Sequence, residues 1–174
     1  QSSCSNKLKE IASFGPVKMG RAVFSQCKTP IKMPLNDVPN AESLEYMDRY
    51  FDSALVSGPI DHWDVSHALS FVRIFEKSDL KTSIVHWDTS NVRAMYGAFL
   101  SMKSDVDVSL WDVGNVVVMS SMFNGATSFN SDISGWDVSR VMNMSSMFNG
   151  ATKFDQNLSK WDTHSVTDMS SMFR

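Results

Sequence analysis

Cysteine is scarce in this chain, with Cys4 and Cys27 the two in 174 residues. No CxxC pair and no Cys/His spacing suits zinc, so a metal-stapled small domain is excluded. Long apolar runs are missing too. The longest, 116–119, falls far below the ~20 residues of a transmembrane helix. Positive charge is thin where most of the chain lies. Residues 1–39 hold six basic groups (Lys7, Lys9, Lys18, Arg21, Lys28, Lys32) against Glu10 and Asp37, which leaves ten basic and seventeen acidic groups for the remainder. Phosphate contacts need clustered Lys and Arg, so an acidic body argues against nucleic acid as a partner. There is no phosphate-binding glycine loop, and no Ser, Cys or carboxylate is paired with a His at a catalytic spacing. The expectation is a chain that is not an enzyme and needs no cofactor. It begins at Gln1 without a charged-then-apolar leader, which reads as a mature or trimmed product. Cell surface and organelle compartment both stay open as locations.

The cysteines leave two readings. A Cys4–Cys27 bridge would staple a segment with little core of its own and imply an oxidising compartment. Two separate thiols would imply neither. The basic N-terminal segment suits an acidic partner, lipid headgroups in a peripheral association, or packing on its own acidic domain.

What the chain has is repetition. Trp-Asp pairs recur at Trp63, Trp87, Trp111, Trp136 and Trp161, at intervals of 24, 24, 25 and 25 residues. A fixed period in this range marks stacked supersecondary units, each burying its apolar face against the next. Counted from Trp136, apolar residues fall at Val141, Met144, Met147, Phe148, Ala151 and Phe154, and Val116 to Phe129 repeat the series one unit earlier. Steps of three and four predict a short helix or 3-10 segment, ended by Asn149-Gly150. The segment 133–138 reads as a short strand with Trp136 and Val138 on one face. An earlier unit without tryptophan keeps the frame from Pro39 through Leu44, Met47, Tyr50, Phe51 and Ala54. Residues 1–38 are expected to be an irregular cap, with a short helix capped by Asn6 and then prolines at 16, 30, 34 and 39. Residues 39–174 are expected to be the repeat array, about five and a half units long.

Stacking turns each offset into a ladder. The aspartates after the tryptophans (Asp64, Asp88, Asp112, Asp137, Asp162) present oxygen ligands of the kind calcium takes, or hold turns by accepting backbone N–H bonds. His62 and His86 should stack one unit apart, but Leu110, Gly135 and Lys160 continue that ladder and supply no third ligand. The methionine pairs at helical spacing beside aromatics read as core.

The segment Trp136-Asp-Val-Ser-Arg-Val-Met-Asn-Met-Ser-Ser-Met-Phe-Asn-Gly-Ala closely resembles the 25-residue repeat of BspA-like surface proteins, the DUF285 class related to leucine-rich repeats. The resemblance covers about residues 40–174 and is most specific over 111–174. It implies a right-handed, LRR-like α/β solenoid with one short parallel strand and one short helix or 3-10 segment per coil. It also implies protein binding, scaffolding or adhesion rather than catalysis. The units from Trp63 and Trp87 depart from the pattern. Lys81 and Asp105 stand where the late Phe belongs, and Arg73, Lys77, Lys81, Arg93 and Lys103 occupy positions the core does not need. These five are the candidate partner surface. The function expected is a non-catalytic interaction module, with an accessory subunit of a large membrane complex or a calcium-stabilised adhesin as alternatives.

Overall fold

The computed structural model describes residues 12–14, 19 and 21–174. The proposed cap helix led by Asn6 lies outside the described residues. In the repeat from Trp111, backbone groups alternate between two kinds of partner. The N–H groups of Met119, Ser121, Phe123 and Gly125 donate to the carbonyls of Asn143, Ser145, Met147 and Asn149 in the next unit, at 2.9, 2.8, 2.9 and 2.7 Å. Those of Met122, Asn124 and Ala126 donate to carbonyls three residues back, at 3.1, 3.2 and 3.0 Å. An α-helix would return every N–H to its own turn. Here every second one is committed along the stacking axis, so the segment is a chain of linked turns.

The turns 119–122 and 123–126 carry a left-handed residue at their third position, as type II turns require. The structure supplies two per unit, four residues apart: Arg73 and Lys77 (φ 54° and 54°), Gly97 and Ser101 (58° and 53°), Ser121 and Gly125 (56° and 68°), Ser146 and Gly150 (55° and 70°). This corrects the expected helix in each unit. The one helix among the described residues is a 3-10 turn, Ala41–Leu44, capped by the Asn40 side chain accepting from Glu42 N–H.

The strand expected over 133–138 is also displaced. That segment holds a turn, with Trp136 N–H donating to Ile133 at 3.1 Å. The parallel ladder runs seven residues after each tryptophan instead, through Tyr46, Ser70, Ala94, Val118, Asn143 and Asp168. Two short strands, β1 (Leu55–Val56) and β2 (Asp79–Leu80), pair in parallel with Leu55 opposite Asp79.

The apolar offsets do form the core. Val116, Met119, Met122, Phe123 and Ala126 are buried, as are Leu44, Met47, Tyr50, Phe51 and Ala54 of the unit without tryptophan. Along the axis Phe24, Phe51, Phe75, Phe99, Phe123, Phe148 and Phe173 stack face to face, with centroids 5.2–5.7 Å apart. Each of these rings except the exposed Phe173 contributes about 1.5–3 kcal/mol through burial. The indoles lie beside this column, and from Trp87 onward each Nε1–H reaches back one unit. Trp87 donates to Ile60, Trp111 to Ile84, Trp136 to Val108 and Trp161 to Ile133, at 2.8, 2.9, 3.2 and 3.1 Å.

The frame extends upstream of the expected boundary at residue 39. Ala22, Phe24 and Gln26 donate to the carbonyls of Asp48, Tyr50 and Asp52 at 3.1, 2.8 and 2.6 Å, and Ala22 and Gln26 take the two left-handed positions (φ 58° and 63°). This first unit is longer, which hides it: Phe24 precedes Phe51 by more residues than separate the later phenylalanines. Gly58 belongs to the same junction, since a Cβ there would lie 2.3 Å from Met33 N.

Candidate interaction surface

With the apolar offsets turned inward, the chemistry available to a partner lies on the ladders that face out. The aspartate row is engaged locally. Asp64 accepts from Ser66 N–H and Oγ–H at 3.1 and 2.6 Å, and Asp88 does the same with Ser90. Asp112, Asp137 and Asp162 accept from the N–H two residues on, at 2.9, 3.0 and 3.1 Å. Bonds from Ser66 lower the Asp64 pKa, bonds from Ser139 lower that of Asp137, and bonds from His164 lower that of Asp162. A second row behaves alike, with Asp107 and Asp132 lowered chiefly by the backbone N–H of Ser109 and Ser134. Each carboxylate holds its own turn. Among the described residues no group of three or more His, Cys, Asp or Glu gathers as a metal site would need. His86 turns from the expected histidine pair to Asp61, with Nδ1 2.6 Å from the carboxylate, while His62 is exposed. Burial pushes the Asp61 carboxyl up, and the bonds to His86 outweigh it, leaving its pKa lowered.

The five candidate basic residues do not form one patch. Arg73 and Lys77, on the two left-handed positions of one unit, converge on the buried Glu76 at 3.3 and 3.3 Å, with Arg49 of the preceding unit at 3.6 Å. Arg73 also donates to the Tyr96 hydroxyl at 3.0 Å and lies over its ring, 5.1 Å from the centroid. The bond to Tyr96 raises the Arg73 pKa, keeping it charged. Lys81 pairs with Asp79 at 2.8 Å. Arg93 is exposed elsewhere, on the row where its N–H donates to Leu69 and its carbonyl accepts from Val117.

Lys103 joins Lys77 in an open groove of about 700 Å³ that also takes in Lys28, Ser53, Ala54, Leu55, Asp79 and Ser101. Lys28 was missed from sequence because its unit was read as outside the frame. In the frame it shares the ladder of Leu55, Asp79 and Lys103.

Cys27 is fully buried and disulfide-bonded, and the chain's other cysteine, Cys4, lies outside the described residues. The bridge ties the first unit's core to another part of the chain.

The geometry is thus a stack of similar units with variable outer ladders, and the family comparison agrees. The family described as Mycoplasma protein of unknown function, DUF285, matches residues 18–104 and again 94–174. The chain belongs to this family. The match starts at residue 18, upstream of the expected boundary, as the hydrogen-bond ladder does. No curated protein and no solved structure matches the chain. Membership fixes the kind of repeat and leaves the outer ladders as this chain's own. Among the described residues no helix is long and apolar enough to cross a membrane.

Proposed function

We propose that the stacked units form an LRR-like right-handed solenoid that serves as a non-catalytic interaction or scaffold module, binding a protein partner through its outer ladders. The observation that carries this reading is the division of labour within each unit. Most core offsets recur from unit to unit, while the outward left-handed positions vary: Arg49 with Ser53, Arg73 with Lys77, Gly97 with Ser101, Ser121 with Gly125 and Ser146 with Gly150. A recurrent frame under a variable outer face is what a recognition surface needs. The acidic ladders support the same reading, because their oxygens are engaged by turns rather than presented to a substrate.

A second reading is an accessory subunit held in a larger assembly. It draws on the exposed apolar side chains of Leu110 (66%) and Met142 (50%). Both readings meet one experiment: isolation from the native source in mild detergent, native size separation, and mass spectrometry of what migrates with the chain. A partner at fixed stoichiometry supports the interaction reading, and a large complex selects the accessory subunit. A chain that migrates alone at low salt overturns both.

A further inference from the structure

Basic groups are outnumbered in this chain, yet one groove gathers three lysines from three units. Lys28 and Lys103 share a ladder, and Lys77 sits two residues earlier in the frame on the rung between. Units that stack through backbone hydrogen bonds rise by about 4.8 Å. The ammonium groups are therefore spread along the axis instead of converging on a point. The acids nearby are already engaged. Asp79 faces Lys81, and Glu76 is shared among Arg49, Arg73 and Lys77. Lys28 and Lys103 are exposed and form no ion pair with a described residue.

We infer that this groove binds an extended acidic segment of a protein partner. The inference rests on the interaction reading above and adds the chemistry of the partner. Three observations select that occupant. Cations spread over several rungs match negative charges placed in a line, and same-face side chains of an extended chain recur about every 7 Å. A single phosphate would need them to converge. The apolar atoms of the groove come from Ala54 and Leu55, with no aromatic side chain in its lining, so neither a base nor a sugar ring finds a stacking platform. The chain as a whole carries a net charge of −3, which repels a long polyanion but not a short segment confined to the groove. The Ser101 hydroxyl, on the rung beside Lys77, adds a donor for a carboxylate.

The test is fluorescence anisotropy on the full chain at low salt with three labelled probes: an alternating Glu-Ser peptide, its Lys-Ser counterpart and a sulfated oligosaccharide. The Glu-Ser peptide should bind saturably, the Lys-Ser peptide should not, and affinity should fall as salt rises. Lys28→Gln, Lys77→Gln and Lys103→Gln together should weaken binding about tenfold. Lys153→Gln with Lys160→Gln, on the later units, should leave it unchanged. All five side chains are exposed, and matching thermal melts verify that the variants fold. No binding of the Glu-Ser peptide, equal loss in both variants, or binding of the sulfated probe alone overturns the inference. Isolation of the tagged chains from native cells separates the two levels. A partner that stays with the triple variant sinks the groove and leaves the interaction reading standing. A wild-type chain without any partner sinks both.

Discussion

The units before residue 106 and those after it share one backbone and differ in what fills and faces it. In the later units a second phenylalanine lies against the axial column: Phe129 is 3.7 Å from Phe123 and Phe154 is 4.1 Å from Phe148 between ring centroids. Lys81 and Asp105 stand at that offset in the earlier units, where Leu80, Met102 and Val106 are buried from neighbouring positions instead. Outside, the later units put only Ser and Gly at the left-handed positions, whereas the earlier ones add Arg49, Arg73 and Lys77 beside Ser53, Gly97 and Ser101, and tie the three basic residues to Asp52 and Glu76. A repeat frame thus fixes the backbone hydrogen bonds and the axial rings and leaves both the filler and the surface free to drift. Similarity between units measures the frame, and departure from it marks where something else acts.

The largest effect should come from the axial column. Phe123→Ala removes a ring that touches Phe99, Phe129, Trp136 and Phe148, and should cost about 3–5 kcal/mol in urea unfolding. Phe75→Ala lacks the partner at the late position and should cost less. Equal losses would mean that the second phenylalanine adds nothing.

The tryptophans give the next contrast. Trp87→Phe removes the bond to Ile60, whose carbonyl keeps the Trp63 backbone N–H, at about 0.5–1.5 kcal/mol for the lost bond. The Trp63 Nε1–H is buried without a partner among the described residues, so Trp63→Phe should be far milder, or even stabilising. A loss at residue 63 as large as at residue 87 would contradict the pairing described.

Backbone strain comes third. Gly125→Ala places a Cβ at φ 68° and 3.1 Å from the Ser101 hydroxyl, and should cost about 1 kcal/mol. Ser121→Gly at φ 56° should shift stability the other way by up to about 1 kcal/mol. Melting temperatures that move in the same direction for both would rule out the left-handed assignment.

The smallest effects concern the exposed carboxylates. Asp64, Asp107, Asp132, Asp137, Asp162 and Asp168 have folded pKa values below their ordinary value near 3.9. Their contribution is present above about pH 4 and is lost as the pH falls through the lowered values. The melting temperature should drop on acidification below that point, and Asp137→Asn, which keeps the turn without the charge, should make the drop shallower. Chelation with EDTA should leave the melting temperature unchanged. A rise of several degrees on adding calcium would return a metal role to this row.

Much of the interior was legible in sequence. The spacing from each tryptophan identified the buried side chains, because burial depends only on which residues recur. The path between them was not legible. Steps of three and four fit a helix, and they fit equally a chain of turns whose alternate N–H groups leave for the next unit. Only the destination of those groups decides, and it lies 24 or 25 residues away. The first unit was missed because its extra length and Pro30, Pro34 and Pro39 break the count, although Phe24 and Ile31 hold the frame. The basic positions showed as departures from the pattern. Their sorting into a buried network at Glu76 and a groove at Lys28, Lys77 and Lys103 depends on neighbours one or two units away.

The direction of the bonds between units has a mechanical consequence. They run along the stacking axis on both rows, from Met119 to Asn143 on one and from Val117 back to Arg93 on the other. Tension applied from end to end pulls each rung open in line with its bonds and loads the rungs one after another, not as a sheared block. A single molecule stretched this way should yield in a series of steps, each releasing about 8 nm of chain for a unit of this length. The protein would act as a shock absorber graduated by its own repeat.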